Sequence, residues 1–189
     1  GVANLAKGRD SLFVAKLDSE DMINKYHLGK NFLLYVGNAY PHKNLETLIR
    51  VFNRLHAEQK DLKLVLVGKE DYFYNRIKQY ARSLNLWQKE NLNSPVVFPG
   101  YVPDAQLEIM YQEARAYVFP SLYEGFGLPV LEAMASGVPV LTSASSSLEE
   151  LGRGAAEMVN PLDAHEIENG LRRLLLDGQL RQDYANLGR

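Results

Sequence analysis

The chain has 189 residues, 46% of them hydrophobic and 23% charged, and a formal net charge of −2. That length allows one well-buried domain and excludes two of ordinary size. The charge balance, with no run rich in Lys or Arg, excludes a nucleic-acid partner, so any anionic ligand must be met locally. The absence of cysteine removes disulfides and thiolate metal sites and fits a reducing compartment.

Residues 1–30 show no clear period and read as a linker or irregular lead-in. The chain opens on Gly1 rather than methionine, so it reads as a piece of something longer with its boundary before about Asn31. From there "FLLYVG" is a buried strand, followed by the helical "NLETLIRVFNRLHAEQ" with Asn44 as its expected N-cap. "LKLVLVG" leads to "YFYNRIKQYARSLNL", and "PVVFPG" leads to "PDAQLEIMYQEA", with Pro103 suited to a first helical turn. "AYVFP" leads to "GLPVLEAMASG", which Gly137 closes. "VPVLT" and "AAEMV" are two more strands, and "DAHEIENGLRRLLLDG" and "QLRQDYANLGR" are the closing helices. Short apolar strands without polar alternation, separated by amphipathic helices, require a parallel sheet covered on both faces. The predicted fold over residues 31–189 is α/β, a doubly wound parallel sheet of Rossmann-like type. None of the apolar runs is long enough to span a bilayer.

In such sheets ligands sit beyond the carboxyl ends of the strands. The loops there are "GNAYPHKN", which contains Gly37, "PGYVPDA", "PSLYEGFG" and "TSASSS". In "EGFGL", Gly125 and Gly127 free the backbone just as a helix begins, leaving unpaired N–H groups suited to phosphate. Glu132, about one turn into that helix, would accept hydrogen bonds from ribose hydroxyls. Glu124, at the strand end before the glycines, would meet a second polyhydroxyl group. The spacing of the two glutamates alone is weak, since Glu149 and Glu157 repeat it, also with two glycines, Gly152 and Gly154, between them. The setting of strand end, Gly-x-Gly and helix start is what separates the first pair from a solvated surface pair. A lysine in the loop after the first strand, Lys43, faces the same crevice.

From about Asn31 to Arg189 the sequence resembles the C-terminal, donor-binding half of GT-B fold, family 4 retaining glycosyltransferases with an E-x7-E motif. The resemblance is carried by "YVGNAYPHKNL", "VVFPGYVPDAQL", "AYVFPSLYEGFGLPVLEAMASGVPVLTS" and "NPLDAHEIENGLRRLLLDGQLRQDY". It implies that Glu132 binds ribose, that Glu124 lies beside the transferred sugar, and that amides around Phe126, Gly127 and Leu128 hold the distal phosphate and sugar. It also implies that Lys43 neutralises the departing diphosphate, and it places main-chain contacts to the base at Val102 and an acceptor or lid at Asp104. Many relatives carry an arginine shortly before that lysine. Here Asn38 and His42 occupy the stretch, and His42, Asn38, Lys69 or a residue of the missing half are the candidates to replace it.

No Asp-x-Asp occurs, so the expectation is a metal-independent hexosyltransferase without a cofactor, with lysine and helix dipole stabilising the leaving group. The donor is expected to be GDP-mannose or a UDP-hexose, with "VGNAYPHKNLETLI" leaning towards mannosyltransferases. A glycan or lipid-linked acceptor would be held by an N-terminal domain outside this chain, which alone would be inactive. The expected location is cytoplasmic, with any membrane attachment in the missing half. A nicotinamide-dependent oxidoreductase fits less well, because "GFGLPV" lacks the third glycine and follows a glutamate. A non-catalytic nucleotide-sugar binding module is the remaining alternative.

Overall fold

A computed structural model describes residues 19–189. The first described element is helix α1, residues 19–25, whose Met22 and Ile23 are buried in the core. The sequence showed no period there, because two apolar residues on one short turn leave no repeat to read. The first 18 residues of the segment read as a lead-in lie outside the described residues.

Six parallel strands follow: β1 (Phe32–Val36), β2 (Lys63–Val67), β3 (Val96–Gly100), β4 (Ala116–Phe119), β5 (Val140–Ser143) and β6 (Glu157–Val159). Their order in the sheet is β3-β2-β1-β4-β5-β6. Helices α2 (Leu45–Glu58), α3 (Tyr72–Ser83), α4 (Asp104–Glu113), α5 (Leu128–Ala135), α6 (Ser146–Gly152), α7 (Ala164–Leu176) and α8 (Gly178–Leu187) connect and cover them. This is the doubly wound, Rossmann-like architecture that the strand and helix pattern predicts. β4 and β5 are buried along their whole length, as strands covered on both faces must be. Helix α2 buries Leu45, Leu48, Ile49, Phe52 and Leu55, the three- and four-residue spacing of one helical face.

The order of the strands locates the crevice. The chain builds outward from β1 to β2 to β3, then crosses back to place β4 on the other side of β1, pairing Leu33 with Ala116 and Leu34 with Tyr117. The connections leaving β1 and β4 therefore part at this switch point and leave an opening between them. Lys43 is on one of those connections and Glu124 on the other.

Four local readings need correction. Asn44 stands at the N-cap position of α2 but does not cap it; it has left-handed backbone (φ 63°) and its side chain bonds elsewhere. Pro103 precedes α4 rather than entering it, and its carbonyl accepts from Gln106 and Leu107, so Asp104 is the first helical residue. Glu124 is not at a strand end, since β4 stops at Phe119. Finally, "TSASSS" is loop only at its centre: Thr142 and Ser143 finish β5, and α6 begins at Ser146. Gly137 does close α5, with φ 74° and its N–H on the Met134 carbonyl.

Candidate active site

The loop after β1 is fixed by three buried tyrosines. Tyr117, Tyr74 and Tyr35 donate their hydroxyls to the carbonyls of Val36 (3.2 Å), Gly37 (2.8 Å) and Asn38 (2.6 Å), three successive residues. Burial pushes the pKa of Tyr35 and Tyr117 well above the usual phenol range, and neighbouring tyrosines and glutamates add to the shift, so both remain neutral donors. Gly37 has φ 152°, and a Cβ there would lie 2.9 Å from the Tyr35 hydroxyl oxygen. The chain then makes a single 3-10 turn, Pro41–Lys43, which delivers Lys43 to the crevice.

The loop after β4 is strapped to its neighbours. The His42 carbonyl accepts from the Leu122 N–H (2.8 Å) and from Ser121 Oγ (3.1 Å). Asn44 Nδ2 donates to the carbonyls of Pro120 (3.2 Å) and Pro161 (2.8 Å), tying the loops after β1, β4 and β6 together. The serines that end and follow β5 complete the strap. Ser143 Oγ donates to the Ser121 carbonyl, Ser145 Oγ to the Leu122 carbonyl and Ser147 Oγ to the Glu124 carbonyl, while the Glu124 N–H donates to Ser146 Oγ. Backbone from Ser121 to Glu124 is thus positioned by side chains from a segment whose sequence looks like an ordinary polar loop.

These two loops bring together residues 81 positions apart. Lys43 Nζ lies 2.6 Å from Glu124 Oε1, with the two side chains 10% and 12% exposed. Ser121 Oγ, itself 1% exposed, also stands against the same Oε1, so its single proton is shared between that carboxylate and the His42 carbonyl. Glu124 Oε2 accepts no hydrogen bond among the described residues and is available to a ligand hydroxyl. Nζ also stands 5.0 Å from the centroid of Phe119, so the aromatic face supplies further negative potential. The sequence missed Ser121; the Ser-x-x-Glu spacing from Ser121 to Glu124 was the signal for it.

After Glu124 the chain runs through Gly125, Phe126 and Gly127 into α5. Gly127 needs to be glycine: its φ is 90°, and a Cβ would lie 2.7 Å from Leu148 Cδ2. Gly125 has open space around it, and Phe126 and Leu128 are exposed. Pro129 lacks an N–H and the Val130 and Leu131 N–H groups turn back to the Gly127 carbonyl. The Leu128 N–H therefore remains unpaired at the helix start among the described residues, where the dipole is positive. Glu132, in the second turn, is exposed and its carboxylate accepts no hydrogen bond among the described residues. Its charge acts on Tyr111 and Tyr117, whereas the charge of Glu124 acts on Tyr35. Phe119 stacks on Tyr117 and on Tyr35, so the two glutamates flank one aromatic column.

The remaining predicted residues are more dispersed. Val102 is buried, which leaves only its main chain for a ligand, and Asp104 is exposed at the start of α4. Lys69 is exposed and forms no ion pair among the described residues. His42 stacks on the ring of Tyr123 at 4.9 Å. Among the described residues no group of three His, Cys, Asp or Glu side chains gathers to hold a metal ion, and no helix is long and apolar enough to cross a membrane.

The switch-point crevice brings together a lysine, a glutamate and a glycine-flanked helix start, and sequence comparison specifies the family. The chain belongs to the family described as glycosyl transferases group 1, whose profile matches residues 18–189. It is 34% identical over 167 residues to the O-antigen chain mannosyltransferase B of Escherichia coli, covering 85% of this chain and 41% of that protein. The O-antigen chain mannosyltransferase RfbU of Salmonella typhimurium is 30% identical over 171 residues, covering 90% of this chain and 46% of that one. The chain thus spans less than half the length of these relatives. Among solved structures, a sucrose-phosphate synthase from Thermosynechococcus elongatus superposes with a TM-score of 0.75 at 29% identity, over 89% of this chain and 42% of that one. The C-terminal domain of a group 1 family glycosyl transferase from Francisella tularensis, solved by itself, shares the fold with a TM-score of 0.74 at 24% identity, over 92% and 88% of the two chains. The fold is that of one half of a GT-B glycosyltransferase.

Proposed function

We infer that this chain is the donor-binding half of a retaining, metal-independent hexosyltransferase of the family 4 type, with Glu124 and Glu132 as its E-x7-E pair. The observation that carries the reading is the meeting of Lys43 and Glu124 at the β1/β4 switch point, a cation and a carboxylate held in one crevice by two strapped loops. GDP-mannose is the favoured donor over a UDP-hexose, supported by the mannosyltransferases among the relatives. The acceptor is a glycan or a lipid-linked saccharide, held by a domain outside this chain, and the reaction is cytoplasmic.

In this reading the donor diphosphate lies across the start of α5, where the Leu128 N–H and the helix dipole favour negative charge. Lys43 turns from Glu124 towards the phosphate oxygens and takes up the charge that develops as the sugar leaves. Glu132 accepts from the ribose hydroxyls and Glu124 Oε2 from a hydroxyl of the transferred sugar. The bond between the anomeric carbon and the phosphate oxygen breaks with its electron pair going to the diphosphate. An acceptor hydroxyl attacks from the same face, and its proton passes to the departing phosphate oxygen. Val102 supplies main-chain contacts to the base, with Asp104 beside them.

The test is transfer from radiolabelled GDP-mannose and UDP-glucose by the full-length protein, with and without EDTA, and the anomeric configuration of the product read by NMR. Retention with no loss in EDTA supports the reading. Inversion, or loss of activity restored by a divalent cation, contradicts it. Donor binding without transfer by the full-length protein would assign the chain to a non-catalytic binding module.

A further inference from the structure

Beside the proposed donor site, five aromatic rings run in unbroken contact across the start of α3 and two loops. Tyr72 meets Phe73 edge-on at 5.4 Å, Phe73 meets Tyr40 edge-on at 5.0 Å, Tyr40 lies 6.1 Å from His42, and His42 stacks on Tyr123 at 4.9 Å. Tyr72, Tyr123 and Tyr40 are 70%, 62% and 43% exposed, and their hydroxyls make no hydrogen bond among the described residues. Exposed aromatics scattered singly need no explanation, but a continuous row of them does. The row begins at the start of α3 and ends at the site already described: His42 precedes Lys43 and Tyr123 precedes Glu124.

We propose that this row is a platform for the further pyranose units of a saccharide acceptor whose reacting end the other domain holds, a second sugar-binding surface on the donor half itself. The proposal rests on the transferase reading above for what lies at the row's end. Three features select a saccharide. The C–H groups on the face of a pyranose carry slight positive charge and suit the negative face of an aromatic ring, while its hydroxyls need polar partners at the rim. A groove of 260 Å³ lies against Tyr40 and Phe73 and is edged by Arg76 and Glu46, which face each other at 3.7 Å and can donate to and accept from hydroxyls. That volume is below the range for drug-sized ligands and suits one monosaccharide unit. Finally, the interplanar angles of 79°, 82° and 48° turn successive faces in different directions, which fits a chain of non-planar sugars better than a flat nucleobase.

The experiment titrates the 189-residue chain with mannose, mannobiose and mannotetraose, followed by amide and aromatic NMR shifts, with and without saturating GDP. GDP titration alone reports separately on the donor reading. Mannotetraose is expected to bind more tightly than mannose, with shifts at Tyr40, Tyr72, Phe73 and Tyr123 that persist when GDP is bound. Tyr72→Ala and Tyr123→Ala remove exposed rings, so the fold is retained, and each should weaken mannotetraose about three- to tenfold while leaving GDP affinity unchanged. In the full-length protein the same variants should raise KM for the acceptor and leave kcat and donor KM alone. GDP binding without any saccharide shifts would overturn the platform and leave the donor site standing. Displacement of saccharide by GDP, equal affinity in the variants, or a loss confined to kcat would also overturn it, assigning the rings respectively to the donor site, to no sugar site, or to contact with the other domain.

Discussion

Glu124→Gln keeps the shape of the side chain and removes the charge that Lys43 faces at 2.6 Å. Both side chains are nearly out of solvent, so the change leaves an ammonium buried without its counter-charge. Breaking a buried pair from one side costs about 3–5 kcal/mol, and the amide oxygen of Gln, which can still accept from Lys43, places this case near about 3 kcal/mol. For a domain of this size the loss lowers Tm by about 6–12 °C. Nucleotide binding should move in the opposite direction. In the free wild-type chain Lys43 is already neutralised, and a diphosphate must draw it from Glu124. In the variant the cation has no partner until the diphosphate arrives, so GDP regains part of the lost stability and binds about tenfold more tightly, with guanosine unchanged. Scanning calorimetry of the free domain and titration calorimetry with GDP and guanosine measure both effects. A Tm within about 2 °C of wild type would show that the pair contributes little in solution. A parallel fall in GDP and guanosine affinity would refute the reasoning, because Glu124 would then contact the nucleotide itself.

Four further outcomes follow from the same geometry. Glu132→Ala should weaken GDP binding about ten- to a hundredfold by titration calorimetry, through lost charge-assisted bonds to ribose, and leave Tm unchanged because the side chain is exposed. Lys43→Ala should abolish most of the preference for GDP over guanosine and flatten the salt dependence of GDP binding; equal losses for the two ligands would place the charge elsewhere. Gly127→Ala should cost about 1–3 kcal/mol in urea unfolding, from its φ of 90° and the contact with Leu148, whereas Gly125→Ala should be close to neutral. At Glu168 burial raises the pKa, but hydrogen bonds from Arg172 and Arg54 outweigh it and hold the carboxyl below its ordinary 4.5. A depressed carboxylate stabilises the fold above its unfolded pKa, so this contribution is full at pH 7 and lost as pH falls below about 4.5; Glu168→Gln should give a shallower fall in the urea midpoint over that window.

The parallel sheet was legible because its strands are apolar on both faces and its helices on one, and the crevice followed from the strand-end rule for such sheets. Lys43 and Glu124 could each be assigned to that crevice, but their pairing could not be read, since it depends on how two loops 81 residues apart are strapped. The straps themselves are hidden in ambiguous chemistry. An asparagine before an apolar period ordinarily signals an N-cap, yet Asn44 adopts a left-handed backbone and spends its amide on two proline carbonyls. A run of serines ordinarily signals a loop, because their hydroxyls compete for the backbone; here Ser143, Ser145 and Ser147 bond the backbone of the neighbouring loop, and α6 forms beside it. Glycines 125 and 127 look alike in sequence, and only the second is required by its own backbone and packing.

The account stands on the claim that this chain binds a nucleoside diphosphate at the β1/β4 switch point, and titration calorimetry of the 189-residue chain with GDP, UDP and guanosine measures it most directly. The predicted result is saturable one-to-one binding of GDP, tighter than UDP and far tighter than guanosine, weakened by both Glu132→Ala and Lys43→Ala. Binding of neither diphosphate, or binding that both variants leave untouched, would contradict it.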